Sequence, residues 1–127
     1  MESNTVTISP AEWRVMEALW EAPKTLMELV RELGASAGWA KSTVTTMLRR
    51  MEEKNLITYD TPGRAKVFRP VVQRGEVVAA QTDSLLRRAY HGSVGMMVSA
   101  LVEGNNLSKS DLNELYAILQ KAEEAAK

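Results

Sequence analysis

The sequence predicts a mainly α-helical chain carrying one small β-hairpin, and three observations support that reading. Segments opening at Ser9, Thr25 and Ser108 pair a capping hydroxyl with an acid three positions on, the signature of a capping box. Between Lys41 and Lys54 the apolar residues Val44, Met47, Leu48 and Met51 fall at i, i+3, i+4 and i+7, one face of a helix. The period then shortens. Leu56-Ile57-Thr58-Tyr59-Asp60 and Ala65-Lys66-Val67-Phe68-Arg69 are β-prone runs flanking Thr61-Pro62-Gly63-Arg64, whose proline and glycine are turn chemistry.

Each element follows from local signals. The first helix starts at Ser9-Pro10-Ala11-Glu12: serine caps, proline suits the first helical position, and Ile8 and Trp13 occupy the staple positions. Trp13, Met16, Leu19 and Trp20 form its apolar face, and Pro23 ends it. The second opens on Thr25-Leu26-Met27-Glu28 and is expected to stop near Leu33, before Gly34. The third begins after Trp39 and stops at Lys54-Asn55, where asparagine tolerates the left-handed conformation. In the hairpin, Arg64 takes the tip, Lys66 begins the returning strand and Pro70 closes it. A fourth helix runs from about Gln73 to Tyr90, with Gly92 as its stop. The fifth follows the cap Ser93, and the turn Gly104-Asn105-Asn106 leads to the sixth after Ser108, stapled by Leu107 and Leu112. Three helices and a hairpin over residues 1–72 fit a winged helix-turn-helix head; residues 73–127 are left for a helical dimerisation domain.

Composition narrows the function classes. With 45% hydrophobic and 25% charged residues, the 127-residue chain has ordinary globular usage, and its 6% aromatic share leaves the core to Leu, Val, Met and Ala. The absence of cysteine excludes disulfides, thiolate chemistry and cysteine-based metal sites. No run of about 18 apolar residues offers a membrane span, and Met1-Glu2-Ser3-Asn4-Thr5 has no signal-peptide pattern. A cytoplasmic protein without membrane association is expected. No nucleophile–base–acid set, phosphate loop or metal constellation is visible, so neither an enzyme nor a cofactor or metal is expected. His91, the single histidine, has no clustered ligands, and the three tryptophans read as core rather than as base-stacking platforms.

The zero net charge conceals an asymmetry. Residues 1–37 carry three basic and six acidic side chains, and residues 75–127 five and seven. Residues 38–74 carry eight basic (Lys41, Arg49, Arg50, Lys54, Arg64, Lys66, Arg69, Arg74) against three acidic. Local basicity of this kind is what phosphate contacts require. Opposite the apolar face of the third helix lie Ser42, Thr46, Arg49 and Glu53, with Thr45 on the flank. Small hydroxyls near the helix start can approach base edges or phosphates, and Arg49 can reach guanine or phosphate oxygens. Lys41 favours phosphate, and Glu53 belongs where the helix leaves the groove. A solvated helix face is the plain alternative. Against it, Ser and Thr replace the Glu and Lys expected on an ordinary surface, and a basic hairpin follows at once. Arg64 and Lys66 fit a wing on phosphates or in the minor groove, and equally fit charges that protect a sheet edge. The candidate DNA-contacting set is Lys41, Ser42, Thr43, Thr45, Thr46, Arg49, Arg50, Arg64 and Lys66.

The C-terminal helices carry more apolar surface than one small head can cover. Leu85 and Leu86, then Val94, Met97, Val98 and Leu101, then Leu112, Leu115 and Leu119 form the stripes. Pairing with a second copy would bury them and set two recognition helices about one DNA turn (~34 Å) apart on a pseudo-palindromic operator. A protein-interaction module with the same head and helical dimer, but no DNA readout, is the competing reading. The basic third helix and hairpin argue against it.

Ile8-Ser9-Pro10-Ala11-Glu12-Trp13, Val15-Met16, Leu19-Trp20 and Trp39-Ala40-Lys41-Ser42-Thr43-Val44 resemble the penicillinase/methicillin-resistance repressor family (BlaI/MecI/CopY). Leu48-x-Arg50-Met51, Lys54-Asn55-Leu56 and Gly63-Arg64 extend the resemblance, which covers about residues 7–125. It implies a homodimeric transcriptional repressor with an N-terminal winged helix, an intertwined C-terminal helical region and inverted-repeat operators. For some members it implies a sensor-protease partner that cuts an Asn-Phe bond; the corresponding place here reads Ala100-Leu101. The copper-responsive branch senses metal through C-terminal cysteines, which this chain lacks. The family's usual Ser-Pro before the recognition helix is Ala40-Lys41, which removes a good cap.

Overall fold

The computed structural model describes residues 8–126; the terminal run Met1-Glu2-Ser3-Asn4-Thr5 lies outside them. The elements are α1 (Pro10–Glu21), β1 (Lys24–Thr25), α2 (Leu26–Ala37), α3 (Lys41–Glu53), β2 (Ile57–Asp60), β3 (Val67–Pro70), α4 (Arg74–Tyr90), α5 (Val94–Glu103) and α6 (Lys109–Ala125). The fold is mainly helical with a small antiparallel sheet, as the sequence predicts.

The capping boxes at Ser9–Glu12, Thr25–Glu28 and Ser108–Asp111 all form, each satisfying backbone donors that a helix start leaves open. Ser93 caps α5 by accepting from the Met96 amide at 3.1 Å. Ala40 at the start of α3 makes no side-chain cap bond.

Three boundaries and one added strand differ from expectation. Helix α2 does not stop before Gly34 but runs to Ala37, and Gly38 ends it in the left-handed region at φ 71. A lone glycine weakens a helix without breaking it, whereas a terminator needs the positive φ that Gly38 supplies. The hairpin gains a third strand, because β1 pairs with β3 and the sheet order is β1-β3-β2. Two residues are too few to show a period, so β1 has no sequence signal of its own. The strands also begin later: β2 starts at Ile57, and Asp60 opposite Val67 is the last pair before the loop. Lys66 therefore sits in the loop over residues 61–66 rather than in the returning strand.

The core joins α1, α2, α3, the sheet and the start of α4. Val15, Met16, Leu29, Val44, Met51 and Val77 are each 0% exposed. Trp13, Trp20 and Trp39 pack against this cluster half-buried, the structural role expected for them. Trp13 and Trp20 meet edge-on with centroids 5.5 Å apart, and Trp20 Nε1 donates to the Val72 carbonyl at 2.9 Å. That bond ties the chain leaving β3 to α1.

The chain divides into two compact units at Thr82–Asp83, inside α4, ten residues beyond the boundary expected at 72–73. Val77 accounts for the placement, since the first turns of α4 help to fill the core of the first unit. In the second unit no residue of α5 or α6 is buried within the chain. Among the described residues, no helix is long and apolar enough to cross a membrane.

Candidate nucleic-acid interface

The surface of the first unit is organised by α3. Its buried side is Val44, Leu48 and Met51, with Met47 half-buried, as the i, i+3, i+4, i+7 spacing requires. Lys41, Ser42, Thr43, Thr45, Arg49 and Arg50 are exposed, while Thr46 is half-buried and less open than its place on the wheel predicts. Thr45 donates its hydroxyl to the Lys41 carbonyl at 2.9 Å, so its oxygen is left to accept.

Two ends of α3 are fixed differently. At its start the amides of Thr43 and Val44 donate to the Ala40 carbonyl. At its end Lys54 takes the C-cap, Asn55 adopts φ 62 as expected, and the Lys54 ammonium donates to both Glu12 carboxylate oxygens at 2.9 and 3.0 Å. Glu12 is only 6% exposed. Burial pushes its carboxyl pKa up, but the Ser9 amide and the Lys54 ammonium outweigh that and hold it below the ordinary carboxylate value. The capping-box acid of α1 thus also anchors the far end of α3.

Ion pairing sorts the eight basic residues of the middle segment. Lys54 pairs with Glu12, Arg69 with Asp60 at 2.9 Å, and Arg74 with Glu17 at 3.2 Å. Among the described residues, no carboxylate pairs with Lys41, Arg49, Arg50, Arg64 or Lys66. These five are all exposed, and all belong to the set singled out in the sequence. Lys66 rests its ammonium 4.2 Å above the Tyr59 ring, which in turn contacts Phe68 with centroids 5.8 Å apart. This stack fixes the base of the hairpin loop.

The structure brings Lys41, Thr45 and Arg49 (i, i+4, i+8 on α3) together with Ala65 and Lys66 across a cleft of about 590 Å³. Ser42 and Thr46 occupy the next row of the helix, Thr43 and Arg50 its opposite flank, and Arg64 the loop. Sequence reasoning missed Leu26 and Met27 at the start of α2, which line the same cleft. Met27 is 52% exposed, and no periodicity marks such a residue as a site.

A family model described as penicillinase repressor matches residues 8–121. The chain belongs to that family. As a member, it is 32% identical over 115 residues to the penicillinase repressor of Bacillus licheniformis, an alignment spanning 90% of each chain. It is 25% identical over 122 residues to the methicillin resistance regulatory protein MecI of Staphylococcus aureus strain N315, covering 95% of this chain and 99% of that one. The solution structure of the DNA-binding domain of the repressor BlaI superposes with a TM-score of 0.52 at 28% identity, over 59% of this chain and 93% of that domain.

Of the residues expected to form a dimer interface, Leu85, Val94, Leu101, Leu112 and Leu119 are exposed, and Leu86, Met97, Val98 and Leu115 are half-buried. Met96, Tyr116 and Ile118 are exposed beside them, outside the stripes read from the sequence. The bond between Ala100 and Leu101 lies inside α5, where both carbonyls accept from the following turn.

Proposed function

We propose that this family member is a cytoplasmic, sequence-specific DNA-binding repressor that acts as a homodimer on a pseudo-palindromic operator. The observation that carries this reading is the sorting of charge on the first unit. Of the eight cations of residues 38–74, three are neutralised by carboxylates, and the other five lie on α3 and the hairpin loop. In this reading Ser42, Thr45, Thr46 and Arg49 face base edges in the major groove. Lys41, Thr43 and Arg50 hold phosphates on either side of α3, and Arg64 and Lys66 carry the wing to the adjacent backbone. The exposed apolar residues of α5 and α6 supply the contact between two copies.

The same reading disfavours induction by a protease specific for an Asn-Phe bond. Ala100-Leu101 presents neither side chain, and its backbone is engaged in helical hydrogen bonds.

Selection of duplexes from a random-sequence pool by the full chain tests the proposal. An inverted repeat with half-sites about one helical turn apart is expected to be enriched. Arg49→Ala is expected to weaken binding to that duplex by roughly tenfold or more and to relax the base preference at one position per half-site, as loss of a bidentate base contact does. Recovery of no common sequence would refute sequence-specific readout.

A further inference from the structure

The cleft beside α3 has a composition that phosphate binding does not call for. Leu48 and Phe68, 3% and 5% exposed, present the edge of the core as its floor, and Leu26 and Met27 add an apolar wall from the start of α2. Its volume of about 590 Å³ lies within the range of small-molecule sites. Around this apolar interior stand three cations without carboxylate partners, Lys41, Arg49 and Lys66, against one carboxylate, Glu52. A phosphodiester backbone needs the cations but gains nothing from the floor, which its sugars and phosphates would not enter.

The geometry points to a ligand site in this cleft for a small amphipathic organic anion, whose apolar body occupies the floor and whose charged head meets Lys41, Arg49 and Lys66. Resting on the DNA-binding reading above, the site is also an induction site, because the ligand and the operator require the same three cations. Occupancy by one excludes the other, and the linkage is reciprocal. A ligand of this kind releases DNA without a proteolytic cut.

Anilinonaphthalenesulfonate, an aromatic anion whose emission rises on burial, is a suitable probe, with neutral phenylnaphthylamine as its uncharged counterpart. Titrating each into the full chain without DNA, with amide chemical shifts followed, reads the cleft independently of any DNA activity. The sulfonate is expected to shift the amides of Met27, Thr45, Ala65 and Lys66 together. Lys66→Gln is expected to weaken this binding by about tenfold, the loss of one charge-assisted contact. The neutral analogue is expected to bind the cleft at least as weakly as the variant binds the sulfonate. In a second arm, the sulfonate should displace a labelled selected duplex with an inhibition constant matching its cleft affinity. Shifts confined to α5 and α6, or equal cleft binding of charged and neutral probes, would overturn the ligand site. Cleft binding that leaves a tight duplex complex intact would overturn the induction role. Failure of the chain to bind any duplex would count against the DNA reading while the first arm still decided the cleft.

Discussion

Glu12 completes the capping box of α1 through the Ser9 amide at 2.9 Å and receives the Lys54 ammonium at the end of α3. One carboxylate thereby couples the start of the chain's first helix to the element that presents Arg49. Glu12→Gln keeps an acceptor for Ser9 but removes the charge. It is expected to cost about 1–2 kcal/mol, measured by urea unfolding at neutral pH. The sign of the pH dependence follows from the lowered pKa. An unfolded glutamate titrates at about 4.3. With the folded value below that, the contribution is complete above the unfolded pKa and is lost as pH falls through the folded one. Wild type should therefore lose more stability than Glu12→Gln between pH 6 and 3, and the two should converge at the acid end. Parallel curves would mean that the pair contributes nothing. This contact joins residues 42 apart in sequence, which is why nothing in the local pattern around either residue announced it.

At the scale of elements, what was legible in the sequence was local. The three capping boxes, the Ser93 cap, the buried stripe of α3 and the left-handed Asn55 each depend on residues within one or two turns of one another. What was missed depends on partners elsewhere. Strand β1 exists because β3 offers it hydrogen bonds, and Gly34 stays helical because the terminator is four residues further on. The DNA-contacting candidates were found from residue type and helix face, but the apolar cleft beside them was not. Leu26 and Met27 reach it only through the packing of α2 against α3. The missing cap at Ala40 was legible from the family resemblance and has a direct consequence. Ala40→Ser is expected to stabilise the chain by about 1 kcal/mol, read as a rise in Tm of several degrees. An unchanged Tm would indicate that the Ala40 site already satisfies those amides by other means.

For the whole molecule, the first unit holds the five cations of α3 and the hairpin loop, and the second exposes apolar side chains on α5 and α6. Leu112, Tyr116, Ile118 and Leu119 are all exposed on α6, with Tyr116 at 72% and Leu119 at 63%. If these residues form the contact between two copies proposed above, charging them splits the assembly. Sedimentation should find the wild type as a dimer and Leu112→Glu/Leu119→Glu as a monomer that binds a half-site but not the full inverted repeat cooperatively. A wild type that sediments as a monomer at micromolar concentration would argue against a preformed dimer on a two-fold operator.

If the five cations on α3 and the hairpin loop that have no carboxylate partner among the described residues hold nucleic acid, binding to a selected duplex must depend steeply on salt. Each neutralised phosphate contributes about −0.9 to the slope of log K against log salt. With contacts from both copies, a slope of about −5 or steeper is expected. Lys41→Ala or Arg64→Ala should flatten it by about 1 for each phosphate contact removed, while Arg69→Ala, whose guanidinium is already paired with Asp60, should leave it nearly unchanged. A slope flatter than about −2, or one insensitive to Lys41 and Arg64 alike, would mean that these cations do not hold nucleic acid.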